Sequence, residues 1–382
     1  MDPAFVKPRT RSLLQHLSVL KDPRQPCKVM YPLPEVLLLV VCATMAGCDD
    51  YDEIAAWGEA RLAFLRRFRP YHWGVPCEDW LRVVMNRIDP DLFAACFRAW
   101  AAELSPGSEA LIAIDGKTSR RTHDRRRGQP ALHLVSAWAT SQRLVLGQEA
   151  VADKSNEITA IPRLLEHLTL KGALVTIDAM GTQVNIAQTI LEGGGNYLLA
   201  LKANHPLVFK DIETFFTAPP PDLIVDTHET TDGEHGRIEV RRHAVCHDVA
   251  WLFSDRRYPG EPVFPGLAMI GMVASHTQRD GKTEHERRYY LSSARLDAET
   301  FATSVRAHWG IENRLHWVLD VVFKEDLSRL RRGHGARNMA IVRHFAINLL
   351  RKPDDRRSLK TRRKLAGWDP DYMHSILTPA SR

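Results

Sequence analysis

The chain has 382 residues, of which 44% are hydrophobic and 26% are charged, and 52 Lys and Arg against 46 Asp and Glu give a formal net charge of +6. This ordinary globular composition excludes wholesale disorder and collagen-like or coiled-coil architectures, and the length predicts two or three domains. The longest apolar run, residues 36–45, is too short to span a bilayer, and the N-terminus lacks the apolar core of a secretory signal. The six Cys residues include no CxxC pair, so we expect a cytoplasmic protein with reduced thiols and no membrane partner.

Residues 1–105 are predicted to form a helical N-terminal domain. Apolar residues recur at helical spacing over 34–46, 50–68 and 77–86, and again after Asp89-Pro90. Pro and Gly residues punctuate these runs, and the Ser-Pro-Gly-Ser sequence that begins at residue 105 is the best candidate for a domain junction.

A mixed α/β pattern follows over residues 106–203, the predicted first half of a catalytic core. The predicted order is three strands, a helix, a strand, a helix and a strand, at 110–115, 133–138, 144–151, 156–168, 173–178, 185–191 and 197–201. The first and fourth strands each end in an acid, Asp115 and Asp178. If these two strands pair, the acids lie at neighbouring strand ends.

The second half of the chain divides into three predicted parts. Residues 204–293 resemble a β-rich insertion, and residues 294–350 contain the longest helical candidate, 296–323. Residues 351–382 form a basic C-terminal tail. The chain shows no internal repeat.

Positive charge is concentrated in two places. Residues 324–364 carry 14 Lys and Arg against four acids, a net +10, whereas the rest of the chain is net −4. A second cluster begins at Lys117, directly after Asp115, and continues to residue 127. Such clusters indicate a polyanionic partner, most often nucleic acid. For the last 30 residues, a solvated surface is an equally good interpretation.

Three acids are candidates for chemistry: Asp115, Asp178 and Glu312. A carboxylate that ends a buried strand is costly unless it faces a cleft, a cation or a hydrogen-bond partner; the alternative for a single acid is a helix cap or turn. On a helix, Glu312 lies at the shoulder of the apolar stripe formed by Ile311 and Leu315, between core and cleft. Clustered carboxylates are the ligands that Mg²⁺ and Mn²⁺ prefer.

A zinc site at His308, Glu312 and His316 is the competing interpretation of this helix. Eight residues of helix spread these side chains over about 12 Å, too far for all three to bind one ion. We therefore expect the two histidines to contact phosphate or a carboxylate instead.

The motifs together identify a family. The chain resembles the DDE insertion-sequence transposases of the ISAs-type, H-repeat-associated group over nearly its whole length. The motifs that carry the resemblance are Asp22-Pro-Arg, Pro32-Leu, Glu53-Ile-Ala-Ala-Trp-Gly, Asp89-Pro, Ala113-Ile-Asp-Gly-Lys, Asp153-Lys-Ser-Asn-Glu-Ile-Thr-Ala-Ile-Pro, Thr176-Ile-Asp-Ala-Met-Gly-Thr-Gln, Tyr197-Leu-Leu-Ala-Leu-Lys, His235-Gly-Arg-Ile-Glu and the helix at 308–326.

The resemblance implies an RNase H-like fold with Asp115, Asp178 and Glu312 as the catalytic triad. It also implies two divalent ions per site, Mg²⁺ with Mn²⁺ able to substitute, and in-line phosphoryl transfer. Water would act as nucleophile in cleavage and the freed 3′ hydroxyl in joining to target DNA. The N-terminal helices are candidates for reading the terminal inverted repeats, and a homodimer is expected because two DNA ends must be joined.

One departure from the wider superfamily concerns phosphate binding. Its pattern has Tyr, Arg and Lys around the Glu, where this chain has Val305, His308 and Leu319. The missing contacts are expected from Arg314 and Lys324. The full set of candidate DNA contacts is Lys117, Arg120, Arg121, Arg125, Lys202, Arg237, His308, Arg314, His316, Lys324, Arg329, Arg356, Arg357, Arg362 and Arg363.

Two other functions remain open on sequence alone. A catalytically silent, transposase-derived DNA-binding protein would keep the fold and the basic surface. A cellular nuclease of RNase H type would explain the triad but neither the insertion nor the basic C-terminal segment. Metal-dependent nicking at specific DNA ends would separate the three.

Overall fold

A computed structural model describes residues 13–105, 107, 110–151, 157–234, 237–253, 262–279, 282–351 and 355–378. The side chain of Arg237, a predicted DNA contact, lies outside this described part. In the described ranges, every helix is too short or too polar to cross a membrane.

The N-terminal region is helical, as predicted. Asp50 and Asp89 cap two of its helices by accepting backbone N–H groups at the first turn, and Pro90 occupies the first helical position after Asp89. The helices are α1 (Leu13–Val19), α2 (Leu33–Ala46), α3 (Tyr51–Ala60), α4 (Leu62–Leu65), α5 (Glu78–Arg87) and α6 (Pro90–Leu104).

The described strands form one nine-stranded sheet in the order β3-β2-β1-β4-β5-β9-β8-β7-β6. The first three are an antiparallel meander, whereas β4 and β5 run parallel to β1. The strands are β1 (Leu111–Ser119), β2 (Leu132–Ala139), β3 (Leu144–Val151), β4 (Leu174–Ile177), β5 (Asn196–Leu201), β6 (Val225–Glu234), β7 (Arg237–Cys246), β8 (Met269–Arg279) and β9 (Lys282–Ser292).

Alternation along β1 assigns its side chains to two different cores. Ile112 and Ile114 join the apolar cluster on one face, and Ala113 joins the cluster of the N-terminal helices on the other. Because successive side chains of a strand point to opposite faces, Asp115 shares the face of Ala113 and Gly116 shares the face of Ile114. The candidate acid Asp115 therefore lies on the face of the sheet that packs against the N-terminal helices.

Helices cover both faces of the sheet. The Ile114 face packs against α7 (Glu157–Leu165), α8 (Val184–Glu192) and α9 (Pro206–Thr217). Helix α10 (Ala298–His308) packs on the opposite face, where its Phe301 contacts the cluster of β5 and β7–β9.

The β-rich insertion extends the core sheet rather than forming a separate layer. Strand β9 pairs antiparallel with β5, from Leu198↔Ser292 to Leu201↔Tyr289, and β8, β7 and β6 follow in turn. The insertion was predicted from its β-type runs, but its continuity with the core sheet was not.

The C-terminal segment corrects the expectation of a basic tail. Helix α12 (Gly335–Arg351) is buried almost along its length, and α13 (Leu359–Trp368) and α14 (Pro370–Leu377) pack beside it. All three share one apolar cluster with the N-terminal helices, which includes Leu37, Phe93 and Phe345. The described C-terminal residues therefore belong to the helical layer.

The arrangement is an α/β fold with an RNase H-like mixed-sheet core, a β-rich insertion and a helical N-terminal region. The order of three strands, a helix, a strand, a helix and a strand is the one that the sequence predicted for the core, whereas the parallel orientation of β4 and β5 was not predicted. The division of the chain at residues 105, 203, 293 and 350 stays a prediction.

Candidate active site

The two strand-associated acids lie side by side at one edge of the parallel pairing. Strands β1 and β4 pair in register up to Ile114 and Ile177, so Asp115 and Asp178 are the next residue of each chain segment. Strand β1 continues beyond Asp115 to Ser119, farther than predicted, because it still pairs with β2. Backbone N–H groups hold both carboxylates: that of Gly116 lies 2.8 Å from Asp115 Oδ1, and that of Gly181 lies 3.3 Å from Asp178 Oδ1.

The surroundings of these carboxylates penalise their negative charge. Burial, together with the charges of Asp178, Glu312 and Glu157, raises the pKa of Asp115 to about 7, although the Gly116 hydrogen bond acts in the opposite direction. Burial also raises the pKa of Asp178, and the charge of Glu157 acts in the same direction. Pairs of acids with raised pKa values at a cleft are typical of functional sites.

Glu312 lies on an irregular stretch of helix opposite this pair. Residues Glu312–His316 form a π-helical turn between α10 and α11 (Trp317–Val321), in which the Trp317 N–H donates to the Glu312 carbonyl. Ile311 and Leu315 are buried on either side, whereas the Glu312 side chain is exposed. Single π-helical turns recur at functional sites because they re-aim side chains.

The two flanking histidines bind protein groups and are uncharged. His308 Nδ1 lies 2.9 Å from Thr176 Oγ1 on β4, and burial lowers the pKa of His308 to about 4. His316 Nδ1 lies 3.5 Å from Asp115 Oδ2, and burial together with the Lys117 charge lowers the pKa of His316 to about 3. The structure thus confirms a carboxylate contact for His316, while His308 ties its helix to the strand that carries Asp178.

A fourth acid, which sequence reasoning did not single out, lies beside the pair. Glu157, at the start of α7, is buried, and its Oε1 lies 2.5 Å from His133 Nε2 on β2. The other ring nitrogen of His133 lies 2.7 Å from Thr118 Oγ1 on β1. A signal was available in the quoted Lys-Ser-Asn-Glu motif, which places an acid in the first turn of an amphipathic helix.

Lys117 has a different role from the predicted DNA contact. Its ammonium is buried and lies 2.7 Å from Asp320, 3.2 Å from Glu325 and 3.5 Å from Asp326. Although burial opposes the charged form, these acids raise the pKa of Lys117. Since its charge is already neutralised inside the protein, Lys117 is corrected from a phosphate contact to a link between β1 and the segment after Glu312.

Arg362 and Arg363 are corrected in the same way. Arg362 is buried and donates to the Leu350 carbonyl and to Asp355. Arg363 is buried over the ring of Phe323, at 4.5 Å from its centroid, and donates to the Thr44 carbonyl and to Asp49. Both guanidinium groups fasten α13 to the helical layer and are not open to a polyanion.

Other predicted cations remain accessible. Lys202 is exposed next to β5, where its charge lowers the pKa of Asp178 against the effect of burial. Arg120 and Lys324 are largely exposed even though each pairs with one Asp, at 3.3 Å and 3.0 Å. The remaining exposed candidates are Arg121, Arg125, Arg314, Arg329, Arg356 and Arg357.

An arginine-lined groove joins the helical region to the core. Its volume is about 820 Å³, and α5, the loop after β1 and the loop before α12 form its walls. One acid, Asp124, is among the lining residues. The basic lining residues are Arg82, His123, Arg125, Arg126, Arg329, Arg331 and Arg332. We call these seven residues and their cavity the arginine groove; two of them, Arg125 and Arg329, were predicted DNA contacts.

The three candidate acids offer the type of ligand atom, carboxylate oxygen, that a divalent cation such as Mg²⁺ prefers. Asp115, Asp178 and Glu312 offer oxygen ligands at a cleft, and burial raises the pKa of both aspartates, so their ionised forms are costly without a cation. Among the described residues, no three His, Cys, Asp or Glu side chains already converge closely enough to hold an ion.

Two known families match this chain. The family described as "Transposase DDE domain" matches residues 106–349, and the family described as "DDE_Tnp_1-associated" matches residues 14–101. The first match contains all three candidate catalytic acids, and the second covers the N-terminal helices.

Similar proteins occur in Escherichia coli. The chain is 38% identical to "H repeat-associated putative transposase YhhI" of strain K12, over 96% of this chain and 98% of that protein. It is also 38% identical to "Putative transposase YncI" of strain O157:H7, over 97% and 95% respectively. A distant likeness, with a TM-score of 0.45 and 11% identity, links 97% of this chain to 80% of a piggyBac transposase solved by cryo-EM in a synaptic complex with hairpin DNA. The family matches and the E. coli relatives show that the chain belongs to the DDE transposase family.

Proposed function

We propose that this protein is the transposase of a bacterial insertion sequence, which binds the element's ends and catalyses DNA strand cleavage and strand transfer. The observation that carries the proposal is the adjacency of Asp115 and Asp178 at paired strands, with Glu312 close enough for its charge to act on Asp115. Membership of the DDE transposase family supports the same class of reaction.

In this proposal, Asp115, Asp178 and Glu312 hold two divalent ions, Mg²⁺ or in its place Mn²⁺. When bound, such ions activate an oxygen nucleophile and stabilise the leaving oxygen of an in-line displacement at phosphorus. The protein's own part is to hold the ligands in place: the N–H groups of Gly116 and Gly181 fix the two aspartates.

Cleavage and joining make the same demand on these residues. Water is the nucleophile in cleavage, and the freed 3′ hydroxyl is the nucleophile in joining. Both steps are displacements at phosphorus, so in both the alignment of the reacting groups and the stabilisation of charge contribute most to the rate. His316 stays uncharged beside Asp115 and therefore leaves the negative charge of the carboxylates available to cations.

The arginine groove is the proposed path of the DNA backbone. The chain leaves β1 after Ser119 and passes the exposed Arg120 to the loop that supplies Arg125, so accessible cations extend away from the acids. Each neutralised phosphate releases counterions, which makes such binding strongly salt-dependent. Lys202, Arg314, Lys324, Arg356 and Arg357 remain candidate contacts outside the groove. Since two ends must be joined, we expect a homodimer in the complex, acting on the nucleoid in the cytoplasm.

Incubation of the full-length protein with its element's end DNA and Mg²⁺ tests the proposal. We expect specific nicking at the end, followed by joining to a second duplex. Asp115→Asn, Asp178→Asn and Glu312→Gln should each abolish both steps and leave end binding nearly intact, because each removes a metal ligand and no phosphate contact.

Glu149→Gln is the matched control. This acid lies on β3 and pairs with Arg163 at 3.5 Å, away from the candidate triad, so its loss should leave cleavage unchanged. Binding without cleavage by the wild-type protein would contradict the proposal and favour a silent DNA-binding protein. Cleavage without joining would favour a nuclease.

A further inference from the structure

We propose that Arg143 and Arg314 form a second phosphate-binding site for the DNA backbone, and that Arg351 is the positioning residue that brings them together. This inference rests on the proposed function and deepens it, because the site would hold the same DNA at the end of β1 opposite to the arginine groove. The sequence predicted Arg314 as one DNA contact and assigned no role to Arg143 or Arg351.

One guanidinium joins the two segments that carry these exposed arginines. Arg351, the last residue of α12, lies over the ring of Trp138 on β2, at 4.3 Å from the ring centroid. Its Nη1 donates to the Arg143 carbonyl in the turn between β2 and β3, and its Nη2 donates to the Arg314 carbonyl in the π-helical turn, at 2.5 Å. Because both N–H groups belong to one planar group, the two turns lie within the span of a single side chain.

The site holds positive charge that no described acid neutralises. Arg143 and Arg314 are exposed, and in the part of the chain that the structure describes no Asp or Glu forms an ion pair with either of them or with Arg351. Burial, followed by the charges of Arg143 and Arg314, lowers the pKa of Arg351 to about 9, so Arg351 is still protonated at neutral pH. Guanidinium groups that repel one another attract an anion, and phosphate oxygens match the hydrogen-bonding geometry of guanidinium.

Arg143 has a backbone conformation that favours glycine. Its φ is 59°, in the left-handed region that residues with a side chain seldom adopt. The bridge to Arg351 uses the Arg143 carbonyl, so the turn itself does not require the Arg143 side chain. Contact between the exposed guanidinium and a ligand accounts for an arginine at a position where glycine would form the same turn with less strain.

The site and the arginine groove lie at opposite ends of β1, with Asp115 between them. The groove includes the loop that follows Ser119, the last residue of β1. The turn that carries Arg143 lies at the other end, where the Thr140 N–H donates to the Leu111 carbonyl at 3.2 Å. The four residues from Leu111 to Asp115 span about 13 Å, and each DNA strand has a phosphate about every 3.4 Å of the helix axis. A duplex can therefore contact both basic sites while it passes the acids.

The combined variant Arg143→Gln with Arg314→Gln tests the site and keeps the Arg351 bridge, because the bridged atoms are backbone carbonyls. Fluorescence anisotropy with the full-length protein and a duplex of the element's end, titrated from low to physiological salt, measures the affinity. We expect a lower affinity at low salt and a slope of log affinity against log salt reduced by roughly 2, about 0.9 for each lost phosphate contact. Arg143→Gly, which suits the positive φ, should give about half of that reduction.

The matched control is Arg163→Gln with Lys210→Gln. These side chains are 57% and 72% exposed and lie on α7 and α9, on the opposite face of the sheet. Their replacement removes the same formal charge and no proposed contact, so the slope should stay within about half a unit of the wild type.

The role of Arg351 is tested by a double-mutant cycle. Arg351→Gln should lower the affinity and the salt slope of the wild type, but should add no loss when Arg143 and Arg314 are already Gln, because its effect passes through those two side chains. An equal further loss in that background would show that Arg351 does not act by positioning them. Should Arg351→Gln fail to fold by circular dichroism, Arg351→Lys, which keeps the charge but cannot bridge both carbonyls, takes its place in the cycle.

The outcomes separate this inference from the proposed function. If the Arg143 and Arg314 double variant changes the slope no more than the control variant does, the inference is wrong while the proposed function stands. If salt does not change the affinity of the wild type for the end duplex, or if the wild type fails to nick that duplex with Mg²⁺, the proposed function itself is wrong.

Discussion

Asp115 is the residue at which burial and like charge act most strongly together. Its carboxyl has a pKa of about 7, against an ordinary value of 3.8, first because it is buried and then because Asp178, Glu312 and Glu157 are near. In the absence of metal, ionising this group therefore costs folding free energy. A bound divalent cation would reverse that balance, since it favours the ionised form.

We predict that Asp115→Asn stabilises the metal-free protein at pH 8 and not at pH 4. Folded Asp115 keeps its proton up to about pH 7, whereas the unfolded chain loses it near pH 4. Between these values the folded state binds more protons, so the free energy of unfolding falls as pH rises. Removing the group recovers at most about 4 kcal/mol above pH 7. Urea unfolding in EDTA across this pH range measures the effect, with Glu149→Gln as control. A gain of equal size at pH 4 and pH 8 would contradict the assignment.

For single residues, the sequence predicted the positions of the acids better than the roles of the Lys and Arg residues. An acid that follows a buried strand is visible in the residue pattern. The sequence placed Asp115 and Asp178 at neighbouring strand ends only if their strands pair, and the structure supplies that pairing, in parallel, between β1 and β4. The fate of a Lys or Arg depends on acids far away in the chain. Lys117 meets Asp320 and Glu325, and Arg363 meets Asp49, and no local pattern encodes such pairings. Glu157 escaped notice because its partner, His133, lies on a different element.

Between elements, the buried ion pairs of Lys117 with Asp320, Glu325 and Asp326, which we call the Lys117 cluster, hold the segment that follows Glu312 against β1. The cluster connects β1, which carries Asp115, to Asp320 on α11 and to Glu325 just beyond it. Arg343 of α12 approaches Glu325 from the other side, at 3.5 Å. The distance between Asp115 and Glu312 therefore depends on a buried network rather than on chain connectivity, which separates the two residues widely.

We predict that Lys117→Met destabilises the protein by about 3–5 kcal/mol, because it leaves buried carboxylates without their cation. Lys324→Met is the matched control: its ammonium pairs with Asp49 at 3.0 Å but is 58% exposed, so the loss should be about 1 kcal/mol or less. Chemical denaturation measures both. Equal losses for the two variants would show that the Lys117 cluster is not a buried network.

The helix that carries Glu312 illustrates what periodicity can and cannot predict. The sequence pattern predicted a helix over 296–323 and placed Glu312 at its shoulder, and the structure contains α10 and α11 in this range. The π-helical turn at Glu312–His316 was not predicted, because the apolar residues at 311, 315, 318 and 322 have the spacing of an uninterrupted α-helix. The turn is stabilised instead by a long-range contact, the Arg351 guanidinium donating to the Arg314 carbonyl at 2.5 Å.

At the scale of the whole molecule, part of the positive charge that the sequence concentrates near the C-terminus lies in the arginine groove, between the helical region and the core. The segment 324–364 holds a net +10 in sequence, but Arg343, Arg362 and Arg363 within it are buried. Part of the remaining charge, Arg329, Arg331 and Arg332, lines the arginine groove together with Arg82 of the helical region. The net charge counted along the sequence therefore overstated how much positive charge the C-terminal segment exposes, since folding buries some of its cations.

We predict that the arginine groove accounts for much of the salt dependence of DNA binding. The combined substitution of Arg82, Arg125, Arg329 and Arg332 by Gln should lower affinity at low salt. It should also reduce the slope of log affinity against log salt by roughly 3–4, about 0.9 for each lost phosphate contact. Fluorescence anisotropy with a duplex of the element's end, titrated from low to physiological salt, measures both quantities.

A charge-matched variant decides whether position or net charge is responsible. Arg67, Arg163, Lys210 and Arg306 are also exposed, at 48%, 57%, 72% and 62%, and lie outside the arginine groove. Their combined replacement by Gln removes the same charge and so changes long-range attraction equally, but it removes no groove contact and should leave the slope within about one unit of the wild type. If both variants reduced the slope alike, DNA binding would depend on net charge alone. If only Arg356→Gln with Arg357→Gln reduced it, the backbone would follow the C-terminal helices instead of the groove.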